Sequence, residues 1–256
     1  MSAVLSGSIA SLVAGACTGL GALPMLVKRG FGDRTRVLML AWAGGVMLGA
    51  TVFSLCVPAL AIVQEAGGSE RQAALTVALG MLAGAFGLWS IHRVTPHQHF
   101  GREREGPHAE RLSRHTLFVL AITLHNVPEG MSVGVAYGGS EETGFAVALG
   151  MALQNIPEGF AVAAAMKADG ASLGRSMGIS LASGLVEPIG GVVGALAVSL
   201  STAFLPWGLA LSAGAMLYVI SGEIIPETHE NGREQLATLS LVGGFVLMML
   251  LDVMLG

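Results

Sequence analysis

Leu124-His125-Asn126-Val127-Pro128-Glu129-Gly130 is written again, 29 residues on, as Leu153-Gln154-Asn155-Ile156-Pro157-Glu158-Gly159. Each copy lies in a stretch otherwise apolar enough to cross a bilayer. A carboxylate, amides, an imidazole in one copy and a helix-breaking proline thus fall where each is costly, in duplicate. Polar groups at membrane depth are functional suspects.

The composition around the motifs agrees with that placement. Of the 256 residues 53% are hydrophobic and only 12% charged, with a mean hydropathy of +0.69. Soluble domains carry about 25% charged residues, so much of the usual water-facing surface is missing and the chain reads as a polytopic membrane protein. Its formal charge of −4 gives no basis for a nucleic-acid partner. Glycine is abundant at 37 residues, and Gly84/Gly87, Gly130/Gly134 and Gly190/Gly191/Gly194 fall at spacings that let membrane helices approach closely. Cys17 and Cys56 lie in apolar stretches without a CxxC, so neither a disulfide framework nor a thiolate metal site is expected.

A spanning helix needs about 20 apolar residues. Eight such stretches are expected, near 3–27, 36–62, 71–92, 115–137, 142–167, 173–200, 204–226 and 236–255. The first lacks a charged leading region and runs straight into more membrane, so it reads as a retained helix rather than a cleaved signal. Twelve of the thirteen basic residues fall in the odd-numbered connections, and only Arg71 lies in an even one. The positive-inside rule then puts the odd connections in the cytoplasm and both termini outside or in the periplasm, which an even number of spans requires. The connection at about 93–114 has no apolar periodicity and is expected to be a mobile cytoplasmic loop. It carries His97, His99 and His108, which are candidate loop metal contacts.

Helical spacing puts His125 and Glu129 on one face of the fourth span, and Gln154 and Glu158 on one face of the fifth. The short stretch 138–141 makes the two spans antiparallel, so the motifs face each other about a pseudo-twofold axis in the membrane plane, as in repeat-built transporters. Pro128 and Pro157 lack an N–H, which leaves the carbonyls of Leu124 and Leu153 without their intrahelical donors. Gly130 and Gly159 remove bulk beside each carboxylate. A third embedded acid, Glu187, precedes Pro188 in the sixth span. A lone proline means a kink and a lone glutamate can be a hydrogen-bond donor; recurrence of the set in fixed order argues for function.

Glu129, Glu158 and Glu187 cannot all be ionised in a low-dielectric interior without a compensating cation. One imidazole, several carboxylates, amide oxygens and no thiolate suit Zn²⁺, Fe²⁺, Mn²⁺ or Co²⁺, whereas an all-oxygen set would lean towards Mg²⁺ or Ca²⁺. Protonating the glutamates would release such an ion. Glu223, Glu227 and His229, towards the cytoplasmic end of the seventh span, are candidate exit-side residues. Glu65, Glu70, Glu141 and Glu142 could gather cations at the outer mouth. Met47 sits in mid-span, where methionine is ordinarily packing.

The paired LHNVPEG and LQNIPEG, in consecutive apolar segments after a His-bearing loop, resemble the ZIP (Zrt/Irt-like) family of metal transporters, especially its short prokaryotic members. The resemblance covers essentially the whole chain. It implies an all-α protein of eight transmembrane helices, arranged 3+2+3 with inverted repeats as a single transporter domain, and a homodimer in the cell inner membrane. It implies uptake of divalent metal, zinc with iron, manganese, cobalt or cadmium, as transported substrate and not as cofactor. By position, His125, Glu129, Gln154, Glu158 and Met47 resemble the family's first metal site. Asn126, Asn155 and Glu187 resemble the second, with Glu129 and Glu158 bridging. Two positions depart from the family pattern: Asn155 stands where some members carry Asp, and Gly222 stands where similar members carry His before Glu223. No HExxH is present, and the protein is expected not to be an enzyme. The alternatives are a metal-gated ion channel and an intramembrane metallohydrolase.

Overall fold

A computed structural model describes residues 2–27, 31–97, 106–108, 110, 114–168, 170–229 and 232–255. Helix α1 covers Ala3–Gly21 and continues, after a turn, as Pro24–Val27. Helix α2 runs Asp33–Gly49, widens into a π-helical segment at Ala50–Cys56, and resumes at Val57–Glu65. Helices α3, α4 and α5 are Glu70–Val94, Arg114–Gly139 and Glu141–Ala168. Helix α6 is broken into Leu173–Gly184 and Glu187–Leu200. Helix α7 runs Leu205–Val219, a π segment Ile220–Ile224, and Ile225–Thr228. Helix α8 is Glu234–Leu255. Seven of these units are long and apolar enough to cross a membrane, and α4, which holds the first motif, is the other long helix.

Local chemistry sets the helix starts. The Ser2 hydroxyl accepts from the Leu5 N–H, and the Ser172 hydroxyl accepts from the Arg175 N–H. Ser69 and Gln72 form a reciprocal capping box at the head of α3, which satisfies two otherwise orphaned backbone donors. Pro58 and Pro226 each follow a π segment by one residue. A proline cannot take the usual i→i−4 bond and its ring crowds the carbonyl four residues back. A wider turn just before it accommodates that crowding. Nothing in the apolar patterning of 50–56 or 220–224 anticipates the change.

Large apolar side chains are not confined to the interior. Leu82, Phe86, Val193 and Leu239 are exposed on the outer faces, where lipid would solvate them. Glycines, alanines and serines meet inside. A methyl group on Gly130 would overlap the backbone carbonyl of Glu187, one on Gly134 that of Gly191, and one on Gly15 that of Gly184. Helices α1, α4 and α6 therefore approach at backbone distance. Gly87 departs from the close-packing expectation, since a methyl there would meet nothing. The pairs that pack most extensively are α4 with α6, α2 with α8, α1 with α6, α3 with α7, and α1 with α5.

The expected loop at 93–114 differs at its edges. Helix α3 carries on through Arg93 and Val94, and His97 is buried. His108 is exposed, while His99 lies outside the described residues.

Candidate metal centre

Between α4 and α5 only Ser140 is non-helical; its hydroxyl accepts from the Thr143 N–H at 3.0 Å and caps α5. So tight a turn lays the two motif helices side by side and antiparallel. Both helices continue through Pro128 and Pro157. The two glycines after the glutamates do more than spare room for a carboxylate: a methyl on Gly159 would strike the Thr18 carbonyl, as one on Gly130 would strike that of Glu187. Each motif is thereby pressed against a neighbour, the first onto α6 and the second onto α1.

Glu187 enters from the break in α6. Leu185 and Val186 interrupt the helix, and Glu187 opens its second half. There the exposed backbone N–H groups and the helix dipole favour a carboxylate. Its Oε1 accepts a hydrogen bond from Asn155 Nδ2 at 2.7 Å, and the same amide donates to the Ala14 carbonyl at 2.8 Å.

Asn126, Glu129, Gln154, Asn155 and Glu187 are fully buried, and Glu158 nearly so. The carboxylates of Glu129, Glu158 and Glu187 lie close enough to act on one another electrostatically, and Glu158 also senses His125. Gln154 adjoins Glu129 without reaching hydrogen-bond geometry. Both carboxylate oxygens of Glu129, both polar atoms of Asn126 and of Gln154, Oδ1 of Asn155 and Oε2 of Glu187 are buried with no hydrogen-bond partner. Leaving one buried polar group unpaired costs about 1–3 kcal/mol, and more for a charge. Eight such atoms on the two motifs and Glu187 are polar groups that the protein's own hydrogen bonds leave unsatisfied, although among the described residues Glu129, Glu158 and Glu187 do not form a group with their ligand atoms gathered within 4.8 Å.

His125, largely buried, turns towards a second group. Its Nε2 stands 2.5 Å from Glu223 Oε2, and His92 Nδ1 stands 3.6 Å from Glu223 Oε1. One ligand atom from each of His92, His125 and Glu223 lies within 4.8 Å of the others. The His97 ring is 4.7 Å from that of His92, and Tyr218 meets His92 edge-on at 5.5 Å. Two imidazoles and a carboxylate suit Zn²⁺ and its first-row neighbours. Glu223 belongs to the π segment of α7, a feature that recurs at functional sites.

The three residues grouped as an exit side therefore separate. Glu223 joins His125 and His92. Glu227 pairs with Arg36 at 2.6 Å. His229 is held by the Ile225 carbonyl at 2.9 Å and the Thr238 hydroxyl at 2.9 Å. Of the candidate loop contacts, His97 packs on His92 from inside the protein. Met47 lies in the main apolar core with Val46, Ala50 and Met151.

Sequence reading left His92 out of the site. A signal was present: the buried stripe of α3 runs Ala73, Val77, Gly80, Gly84, Leu88, His92, so the helical period that marks the packed face ends on the imidazole. Its position beside Arg93 and a polar connection hid this.

Comparison with known proteins places these features in context. A family model described as ZIP Zinc transporter matches residues 94–252. The chain is 47% identical over 252 residues to zinc transporter GufA of Myxococcus xanthus, covering 98% of this chain and 99% of that one. It is 44% identical over 245 residues to zinc transporter ZIPB of Bordetella bronchiseptica, covering 94% and 78%. Against zinc transporter ZIP11 of Homo sapiens it is 47% identical over 150 residues, 56% of this chain and 44% of the other.

Proposed function

The chain belongs to the ZIP family of zinc transporters, and from that premise we propose that it carries Zn²⁺, with Fe²⁺, Mn²⁺, Co²⁺ or Cd²⁺ as further cargo, into the cytoplasm through two adjoining ion positions. It is a multi-pass membrane transporter of divalent metal and not an enzyme. His125, Glu129, Gln154 and Glu158, with Met47, form the first position. Asn126, Asn155 and Glu187 form the second, and Glu129 and Glu158 bridge. The observation that carries this reading is the shell of unpartnered buried oxygens and amides on Asn126, Glu129, Gln154, Asn155 and Glu187. Such a shell suits an ion that arrives and leaves, because its groups are carboxylates and amides, joined by the imidazole of His125 and the thioether of Met47, and none is a thiolate.

The 3+2+3 inverted repeat is part of the proposal, and the packing supports it. If α1–α3 repeat as α6–α8 and α4 as α5, then α2 on α8 corresponds to α3 on α7, and α1 on α5 to α6 on α4; the other extensive pair, α1 on α6, corresponds to itself. The π segments of α2 and α7, each leading into a proline, also correspond. A single transporter domain, termini on the outer face of the inner membrane, a homodimer and alternating access complete the reading.

Uptake into proteoliposomes tests it, with Zn²⁺ competed by Fe²⁺, Mn²⁺, Co²⁺, Cd²⁺ and Mg²⁺, with and without a pH gradient. Saturable uptake of Zn²⁺ that Mg²⁺ does not compete is expected, and Glu129→Ala or Glu158→Ala should lower it at least about 100-fold while the protein stays folded. Full transport by both variants would defeat the reading. Conductance steps without saturation would favour the channel alternative.

A further inference from the structure

Arg36 and Glu227 form an ion pair that the metal-site residues do not explain. Arg36 lies in the first turn of α2, and its Nη1 approaches Glu227 Oε1 to 2.6 Å with the two side chains only 10% and 18% exposed. A pair so sheltered forgoes most of the hydration of two charges, so it is weak evidence for stability and asks for another role.

Its position supplies one. Glu227 is four residues beyond Glu223, so the two carboxylates share a face of α7 one turn apart. Glu223 holds His92 and His125, and the charge of Glu227 reaches His125. An ion leaving Glu223 towards the end of α7 near the basic connections therefore meets Glu227 next. That carboxylate is already engaged by a tethered cation. Guanidinium stays protonated at any physiological pH, so it cannot leave Glu227 to an ion by losing its charge. A conducting path must bind its ion well enough to admit it and weakly enough to release it.

We propose that Arg36 is a release residue: by occupying Glu227 it keeps that carboxylate from joining Glu223, His92 and His125 in a trap for the departing ion. This rests on the transport reading above. Arg36 acts through Glu227 and is a positioning residue rather than a ligand.

The test uses the full chain, as purified protein titrated calorimetrically with Zn²⁺ and as proteoliposomes assayed for Zn²⁺ uptake. Arg36→Gln should bind one more Zn²⁺ than the unaltered protein, and its kcat and KM should fall together, each about tenfold. Glu227→Gln added to Arg36→Gln should remove the extra ion and bring both constants back to within about threefold. Arg36→Lys, which keeps the charge but loses the planar fork, should shift them about threefold, and it serves where the glutamine variant does not fold. A pair that merely holds α2 to α7 would lower yield and kcat without moving KM or stoichiometry. Arg36→Gln without an extra ion, or a double variant no better than the single one, overturns the inference. The calorimetric arm decides this even if vesicles take up nothing, a result that would count against transport itself.

Discussion

The two copies of the motif share a backbone and differ in what their side chains have left to give. In the first, Asn126 and Glu129 are wholly buried and keep every side-chain polar atom without a partner, while His125 reaches across to Glu223 on α7. In the second, Gln154 is likewise unpartnered, but the Asn155 amide is spent on Glu187 and on the Ala14 carbonyl. The first copy thus keeps its amide and carboxylate unpartnered and is tied through His125 to the candidate metal cluster of His92 and Glu223. The second braces α6 and α1. A duplicated frame has been filled asymmetrically, and each difference can be probed by making one copy behave like the other.

The largest expected effect comes from what the copies share. Gly130 and Gly159 each lie against a neighbouring backbone carbonyl, of Glu187 and of Thr18, and a carbonyl in a helix cannot swing aside as a side-chain tip can. Gly130→Ala and Gly159→Ala should each destabilise the protein by about 1–3 kcal/mol, read as a lowered midpoint in thermal melts of the detergent-solubilised chain. Gly87→Ala, where a methyl meets nothing, should be neutral or slightly stabilising because alanine favours the helix by up to about 1 kcal/mol. Equal melts for all three would mean that the close crossings do not hold the motifs in place.

These glycines also mark how far the sequence could be read. The eight apolar stretches, the antiparallel motif helices and the small-residue crossings all rest on local signals: length, charge between spans, and spacing along one helix. Span limits such as 71–92 came within a turn of Glu70–Val94. The π segments left no such mark, because a turn widened by one residue inside an all-apolar helix changes no pattern of polarity. The partners of Glu223 were hidden for a different reason. His92 and His125 lie on different helices, and nothing local says that α3 and α4 bring their imidazoles to one carboxylate on α7. Grouping Glu223 with Glu227 and His229 followed sequence proximity, whereas the fold sorts the three into a candidate metal cluster, an ion pair and a hydrogen-bonded loop end.

A smaller effect follows from equalising the first polar residue of each copy. His125→Gln makes the first motif match the second at that position and removes the imidazole that the candidate site shares with Glu223. Affinity for Zn²⁺ should fall about tenfold, which is about 1.4 kcal/mol. Discrimination against Mn²⁺, which relies less on nitrogen ligands, should narrow. Competition uptake measures both. A tenfold loss for Zn²⁺ and Mn²⁺ alike would show that His125 contributes binding without selectivity.

The smallest effect is expected at Asn126, and it separates the copies most cleanly. Asn155→Ala removes a donor from a buried carboxylate and from a buried carbonyl, so it should cost about 1.5–3 kcal/mol in the metal-free protein. Asn126→Ala removes an amide that has no protein partner. Deleting an unsatisfied buried polar group relieves a desolvation cost while giving up some packing, and these offset to within about 0.5 kcal/mol. The metal-free melt should therefore barely move. With Zn²⁺ present the order changes: an amide kept unpaired as an ion ligand is missed only when the ion is bound, so the zinc-induced rise in melting midpoint should shrink in Asn126→Ala. That combination, silent without metal and weakened with it, is hard to produce by any packing role. A variant destabilised in both conditions to the same extent would place Asn126 among the structural amides with Asn155 and leave the first copy no more open than the second.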